Sequence, residues 1–265
     1  MTKFTAAVLQ MRSGVDPDAN AKVMADMVEE AAGQGATYLQ TPEMTGMVQR
    51  DRAGLNAKLK GEADDVIVRT ASALAKQHGV FIHVGSVAVA VEGNMIANRA
   101  FLFGPDGKRI TTYDKIHMFD VDLDNGESWR ESAAYTPGAT AKLVSLPFGK
   151  LGCAICYDVR FPELFRVLRT GGADVLALVS AWVSGPGKEE HWLTLLRARA
   201  IENTAYVVAA SQPGPRYSGH SMVVDPLGDV LVEAGEAAAV VRAELRHDVL
   251  VEVRRTNPSL HNRRL

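Results

Sequence analysis

Short apolar runs alternate along this chain with segments whose apolar residues recur at helical spacing. Residues 4–10 form a compact apolar run that predicts a strand, and in residues 18–33 Met24, Val28 and Ala31 fall on one helical face. Such alternation is typical of an α/β protein. The same criteria predict strands at 36–40, 80–89, 97–103, 141–146, 151–155, 174–179, 206–211, 219–224 and 238–245, and helices at 64–78, 163–170 and 189–203.

Turn sequences between some of the apolar runs predict hairpins in place of helical crossovers. Glu92-Gly93-Asn94 separates the predicted strands 80–89 and 97–103, and residues 225–229 read as another hairpin turn. No Pro-, Gly- or Ser-rich linker divides the chain, so we expect residues 1–265 to form a single domain. The mixture of βα units and hairpins favours a four-layer α/β/β/α sandwich, in which two mixed β-sheets lie face to face and are flanked by helices.

Charge and hydropathy argue against nucleic acid and membrane as partners. The formal net charge is −2, so no large basic surface is expected. No apolar run approaches the roughly 20 residues that a membrane span needs. The N-terminal apolar run meets Arg12 and Asp16 too soon for a signal peptide, and two cysteines make no disulfide framework. We therefore expect a cytoplasmic protein.

Cys156 stands where an apolar strand ends and Pro162 and Glu163 begin a predicted helix. A thiol at such a turn is held rigidly and lies near backbone N–H groups, which favour the thiolate. That position suits a nucleophile. The alternative is a buried cysteine that acts as a small hydrophobic residue, and position alone does not decide between them.

A cysteine nucleophile needs a base and a group that stabilises an oxyanion. Glu43 follows a predicted strand, where a carboxylate either belongs to a site or is solvated in a loop. Lys115 stands in unusually apolar surroundings and would provide positive charge beside a thiolate, unless it is a surface lysine paired with Asp114 or Asp120.

Glu131 is a second candidate carboxylate, which precedes the turn Thr136-Pro137-Gly138. The alternative is a surface glutamate paired with Arg130, and both readings stay open from the residues alone. Either way, Glu131 would matter to a reaction only if it reached the other candidate residues in space.

Other kinds of site are excluded by spacing. Cys153 and Cys156 form C-x-x-C, but residues three apart on a strand point to opposite faces, which rules out a disulfide or a metal half-site. The histidines are scattered, and Gly185-Pro186-Gly187-Lys188 lacks the Ser or Thr of a phosphate loop. The chain has no dinucleotide glycine fingerprint and no G-x-S-x-G elbow. We expect neither a metal nor a cofactor.

Taken together, five sequence blocks resemble the nitrilase, or carbon–nitrogen hydrolase, superfamily, which uses a Glu-Lys-Cys triad in this chain order. The resemblance covers nearly the whole chain, and the blocks are highly specific when they occur together in order. They are Pro42-Glu43, residues 113–120 around Lys115, residues 152–163 around Cys156, residues 197–203 and residues 219–226.

The resemblance implies a role for each candidate residue. Cys156 is the nucleophile, Glu43 the general base and acid, and Lys115 with the backbone N–H of Tyr157 the oxyanion donors. Glu131 corresponds to the second glutamate of the family, which positions the hydrolytic water. The resemblance also implies a thioester intermediate and assembly into a homodimer or a higher homo-oligomer.

Residues 156–163 resemble the Nit-type branch, which includes omega-amidases and deaminated-glutathione amidases. This implies hydrolysis of the terminal carboxamide of a small, carboxylate-bearing substrate. Hydrolysis of N-carbamoyl amino acids, hydrolysis of nitriles and a non-catalytic scaffold are the alternatives.

Two loops depart from the branch and are expected to line the pocket. One carries Trp182 where phenylalanine is frequent, and its continuation towards His191 is longer than usual. The other, residues 211–218, is shorter than in many relatives. Arg160 and Arg199 are the arginines nearest to the motifs, and we expect Arg160 to pair with Asp158 or Glu163 and to brace the turn.

Overall fold

The computed structural model describes residues 3–122, 126 and 128–264. Two six-stranded mixed sheets lie face to face, and helices cover their outer surfaces. The predicted four-layer α/β/β/α sandwich is confirmed.

The strands fall into two large sheets and one small ribbon. In chain order they are β1 (Lys3–Gln10), β2 (Tyr38–Gln40), β3 (Phe81–Ala90), β4 (Ile96–Phe103), β5 (Arg109–Asp114), β6 (Asp120–Asp122), β7 (Ser128–Arg130), β8 (Leu143–Leu146), β9 (Gly149–Ile155), β10 (Val175–Ser180), β11 (Tyr206–Ser211), β12 (Met222–Val224), β13 (Val230–Glu233) and β14 (Ala239–Arg246). The first sheet has the order β14-β1-β2-β3-β4-β5, the second has the order β13-β12-β11-β10-β9-β8, and β6 pairs with β7. At the centre of each large sheet three strands run parallel: β1, β2 and β3 in the first, and β9, β10 and β11 in the second.

The helices begin and end at recognisable signals. The side chains of Asp16 and Asp65 cap two helix N-termini, and Gly79 ends one helix in the left-handed conformation that glycine tolerates. The helices are α1 (Pro17–Gly33), α2 (Arg52–Lys58), α3 (Val66–His78), α4 (Pro162–Thr170), α5 (Lys188–Asn203) and α6 (His247–Thr256). No helix in the described part of the chain has both the length and the hydrophobicity that a membrane crossing requires.

Three apolar layers hold the sandwich together. One lies between the sheets, one under α1 and α3, and one under α4 and α5. A polar link crosses the layer between the sheets, because Gln40 of β2 donates through Nε2 to the carbonyls of Leu178 in β10, at 2.8 Å, and Val208 in β11, at 3.0 Å. Tyr38 completes the link with a hydrogen bond to Gln40 at 2.7 Å and a second to His83 at 2.8 Å.

The observed elements agree with the sequence predictions at most positions. The hairpin of β3 and β4 and the turn at 225–229 are confirmed. Six helices and strands that the sequence reading did not identify are α2, β5, β6, β7, β13 and α6.

Candidate active site

Cys156 lies directly after β9 and begins a short 3₁₀ turn, Cys156–Arg160. Its φ of 50° is in the left-handed region, which is unfavourable for a residue with a side chain and recurs at functional sites. The residue lines a cavity of about 350 Å³. Cys153, by contrast, is buried between the sheets.

Glu43 follows β2 and is 4% exposed, so the solvated-loop alternative is wrong. Its Oε1 accepts from Asn98 Nδ2 at 2.8 Å, and its Oε2 accepts from the backbone N–H of Ala181 at 2.7 Å. Gly85 packs closely against the two residues before Glu43: a Cβ on it would lie 2.2 Å from the carbonyl oxygens of Thr41 and Pro42. The position of this carboxylate is therefore fixed from three sides.

Lys115 follows β5 and is 2% exposed. Its Nζ lies 2.7 and 3.0 Å from the two carboxylate oxygens of Glu131 and 3.3 Å from Glu43 Oε1. The surface alternative is wrong, because Asp114 instead forms an ion pair with Arg99. The lysine thus joins two carboxylates from distant parts of the chain.

Glu131 belongs to this cluster and not to the surface. Besides Lys115, its Oε2 accepts from the backbone N–H of Phe119 at 2.7 Å. Arg130 pairs with Asp122 through two hydrogen bonds of 2.8 and 2.9 Å, so the alternative pairing with Arg130 is wrong.

The charges of the cluster act on one another. Burial would lower the pKa of Lys115, but the carboxylates of Glu131 and Glu43 outweigh it and raise that pKa well above its usual value. Burial, and then the negative charge of Glu43, raise the pKa of Cys156, against smaller lowering effects of Lys115 and the Ser180 hydroxyl. This shift favours the thiol over the thiolate, so attack by the sulfur would need a base that takes its proton.

Asp158 links the cysteine turn to the loop that carries Lys115. It is fully buried and accepts hydrogen bonds from the Tyr113 hydroxyl at 2.6 Å, the Ile155 N–H at 2.8 Å and the His117 N–H at 3.0 Å. The His117 ring also donates through Nδ1 at 2.7 Å, which assigns the proton to that nitrogen. Tyr157, between Cys156 and Asp158, lines the cavity, and its backbone N–H lies in the first turn, where N–H groups lack intrahelical acceptors.

Arg160 does not make the pairing that the sequence predicted. It contacts neither Asp158 nor Glu163 but lies with its guanidinium carbon 5.1 Å from the ring centroid of Trp182 and lines the cavity. The reason is that Asp158 is already occupied by four donors from other elements. Arg199 instead donates to the Val159 carbonyl and pairs with Glu202, away from the cavity.

Both unusual loops line the cavity, as expected, and they pair with each other. Val183 bridges to Tyr217, and the N–H groups of Ser184 and Ser218 each donate across to the other loop. Trp182 and Tyr217 face the same space as Cys156.

The cavity wall is strongly cationic. Among the lining residues that the structure describes, six are Lys or Arg and two are carboxylates, and both carboxylates bind Lys115. An anionic ligand would therefore be attracted to the mouth. The cations are Arg50, Arg52, Lys115, Arg130, Arg160 and Lys188.

Sequence reasoning missed Asn98, Ala181 and the role of Asp158. Asn98 is 1% exposed, and its Nδ2 lies 2.8 Å from Glu43 Oε1 and 3.4 Å from Glu131 Oε1. A polar residue inside the apolar run at 97–103 was the available signal. Ala181 left none, because it contributes only a backbone N–H.

No group of three or more His, Cys, Asp or Glu side chains within the described ranges is arranged to hold a metal ion. The functional groups gathered at the cavity are a thiol, two carboxylates and an ammonium. Such a set can carry out nucleophilic attack with proton transfer and charge stabilisation.

Comparison with known proteins agrees with this chemistry. The family model described as carbon-nitrogen hydrolase matches residues 5–255. A deaminated glutathione amidase from Synechocystis sp. is 38% identical over an alignment of 273 positions, which covers 99% of this chain and 99% of that protein. An omega-amidase from Danio rerio is 33% identical over an alignment of 277 positions, which covers 100% of this chain and 96% of that protein. The crystal structure of a Saccharomyces cerevisiae member of branch 10 of the nitrilase superfamily superposes with a TM-score of 0.89 at 28% identity, and the match covers 100% of this chain and 97% of that one.

Proposed function

The chain belongs to the carbon–nitrogen hydrolase family and is an amidase, and we propose that it hydrolyses the terminal carboxamide of a small, carboxylate-bearing substrate to an acid and ammonia. Deaminated glutathione and the omega-amide of a keto acid are the two substrates that the relatives suggest. One observation carries the proposal: two carboxylates and an ammonium converge beside a thiol in one cavity.

The first half of the proposed reaction forms a thioester. Glu43 takes the proton of the Cys156 thiol, and the sulfur attacks the carboxamide carbon. The ammonium of Lys115 and the N–H of Tyr157 stabilise the tetrahedral oxyanion. Glu43 then gives the proton to the departing nitrogen, so that the C–N bond breaks and ammonia leaves. The raised pKa of Cys156 supports the need for this base.

The second half hydrolyses the thioester. Glu43 takes a proton from water, which Glu131 positions, and the resulting hydroxide attacks the acyl carbon. The C–S bond breaks, the sulfur regains its proton from Glu43, and the acid is released. Acid–base assistance of this kind contributes roughly 10²–10⁴ to the rate, and one oxyanion donor roughly 10²–10³.

The cationic wall supports the carboxylate part of the proposal. Arg160 is the cation on the wall beside Trp182, and its guanidinium can bind a carboxylate through two parallel hydrogen bonds. Neutral amides and nitriles would leave that charge uncompensated.

The proposal is tested with the Cys156→Ala variant. We expect it to fold as the native protein does but to release no ammonia from any amide and to form no acyl adduct detectable by mass. The matched control is Cys153→Ala, which removes a sulfur three residues away and should remain active. Measurable turnover by Cys156→Ala would remove the nucleophile from the proposal.

A substrate panel separates the remaining alternatives. Release of ammonia from α-ketoglutaramate or deaminated glutathione supports the proposal, whereas turnover of only N-carbamoyl amino acids or nitriles supports the other reactions of the family. No turnover of any of them, with ordinary thiol reactivity at Cys156, supports a scaffold. The homo-oligomer and the cytoplasmic location stay predictions.

A further inference from the structure

Lys188 begins α5 and lines the cavity that contains Cys156. The two glutamates that follow it in the sequence, Glu189 and Glu190, line a different cavity together with Glu233. The first turn of α5 therefore directs its cation towards the reaction centre and its carboxylates away from it.

Arg160 shares this wall with Lys188. Its Nη2 lies 3.2 Å from Nδ1 of His191, which is one helical turn after Lys188. Because arginine has no acceptor, Nδ1 accepts the hydrogen bond, and the His191 ring is neutral with its proton on Nε2. Both contacts of Arg160, with His191 and with the ring of Trp182, are therefore with uncharged groups.

No carboxylate in the described part of the chain forms an ion pair with Arg160 or Lys188. Partial burial, and then the charge of Arg160, lower the pKa of Lys188, so the two cations repel each other at this wall. Like charges that share a wall without a counterion repel each other, and an anion that contacts both would offset this repulsion.

Trp182 contacts both of these residues. Its indole Nε1 donates to the Lys188 carbonyl at 2.7 Å, while its ring faces the guanidinium of Arg160. The side chain is buried, so both attachments are held in place. Phenylalanine at this position would support Arg160 but would not hold the first residue of α5.

We propose that Lys188 is a specificity-determining residue, which forms with Arg160 a two-cation receptor for an anionic group of the substrate. The inference rests on the proposed amidase function and adds to it the residue that selects anionic over neutral amides. An ammonium beside a guanidinium supplies a further charged donor, and hydrogen bonds to charged groups are stronger than neutral ones.

Two amides with carbon chains of equal length test the inference. Succinamate ends in a carboxylate and butanamide in a methyl group, so the ratio of their kcat/KM values measures charge selection. In Lys188→Met we expect this ratio to fall about tenfold, mainly because the KM for succinamate rises. Lys188→Arg keeps the charge and should hold the ratio within about threefold.

Glu189→Gln is the matched control, because the adjacent residue faces the other cavity, and it should leave the ratio unchanged. A Lys188→Met enzyme with the native ratio overturns the inference. So does an equal loss on both amides, which would indicate a purely structural role for the start of α5.

Binding of succinate separates this inference from the amidase proposal. By titration calorimetry we expect succinate to bind the native protein and to bind Lys188→Met about tenfold more weakly. Equal or absent binding in both proteins overturns the receptor. Binding that depends on Lys188, in a protein that hydrolyses no amide, overturns the amidase proposal and leaves the receptor standing.

Discussion

Glu131 holds the ammonium of Lys115 with both carboxylate oxygens, at 2.7 and 3.0 Å. Glu43 approaches the same ammonium with one oxygen, at 3.3 Å. The lysine charge is therefore compensated mainly by Glu131, and the proposed base, Glu43, makes the longer contact with the ammonium.

The first prediction concerns a variant in which Glu131 no longer compensates the charge of Lys115. In Glu131→Gln, Lys115 is left with Glu43 alone, and a carboxylate bound to an uncompensated ammonium is a weaker base. We expect kcat for ammonia release to fall about 10²-fold with the fold retained. Glu244→Gln, at an exposed pair with Lys3, is the control. A native kcat in Glu131→Gln would mean that this carboxylate has no part in the reaction.

The second prediction concerns thiol reactivity. Burial and the charge of Glu43 raise the pKa of Cys156, and Lys115 lowers it. Glu43→Gln should therefore lower the thiol pKa and speed alkylation by iodoacetamide at a given pH, although turnover is lost. Lys115→Met should raise the pKa and slow alkylation.

The rate of alkylation is measured against pH by mass spectrometry. Cys153, whose pKa burial raises to about 12, should stay unlabelled and serves as the internal control. If Glu43→Gln slowed alkylation across the whole pH range, the carboxylate would not be acting through its charge.

The third prediction compares two aspartates. The carboxylate of Asp158 accepts hydrogen bonds from four donors. In Asp158→Asn one carboxylate oxygen becomes an NH₂ group, which cannot accept these bonds and faces other N–H or O–H groups. We expect the free energy of unfolding in urea to fall by about 3 kcal/mol. Asp122→Asn breaks an exposed pair with Arg130 and should cost less than about 1 kcal/mol. Similar losses in the two variants would contradict the assigned role of Asp158.

The fourth prediction concerns the backbone that positions Glu43. A methyl group at Gly85 would meet the carbonyls of Thr41 and Pro42 at 2.2 Å and would displace the segment before the carboxylate. Because small misplacements cost about 10²-fold in rate, Gly85→Ala should lose more than tenfold in kcat/KM. Gly61→Ala, where a methyl group meets nothing within 4 Å, should retain activity. Equal activities would show that the segment adapts.

The sequence predicted elements whose pattern is strong and missed those whose pattern is weak. The 17 residues of α1 have a clear apolar face, and their predicted bounds agree closely with the structure. β5 is an edge strand with mostly exposed or half-buried residues, so it shows no alternation to detect. α2 has seven residues, too few for a helical period to show.

In the candidate site, too, residues with a strong sequence signal were predicted and residues with a weak one were missed. The positions of Glu43, Lys115, Glu131 and Cys156 could be proposed because each is a reactive side chain in a distinctive block. Asn98 and Asp158 act by hydrogen bonding across elements, which depends on the folded arrangement. The expected pairing of Arg160 was wrong because nearness in sequence says little about which partner a long side chain reaches.

Glu43 follows a strand of one sheet and Cys156 follows a strand of the other. Neither half of the protein thus contains a complete reaction centre. A partly unfolded species whose sheets have slid apart would be catalytically silent while its circular dichroism still looked native. Loss of enzymatic activity would therefore report separation of the two sheets before loss of their secondary structure does.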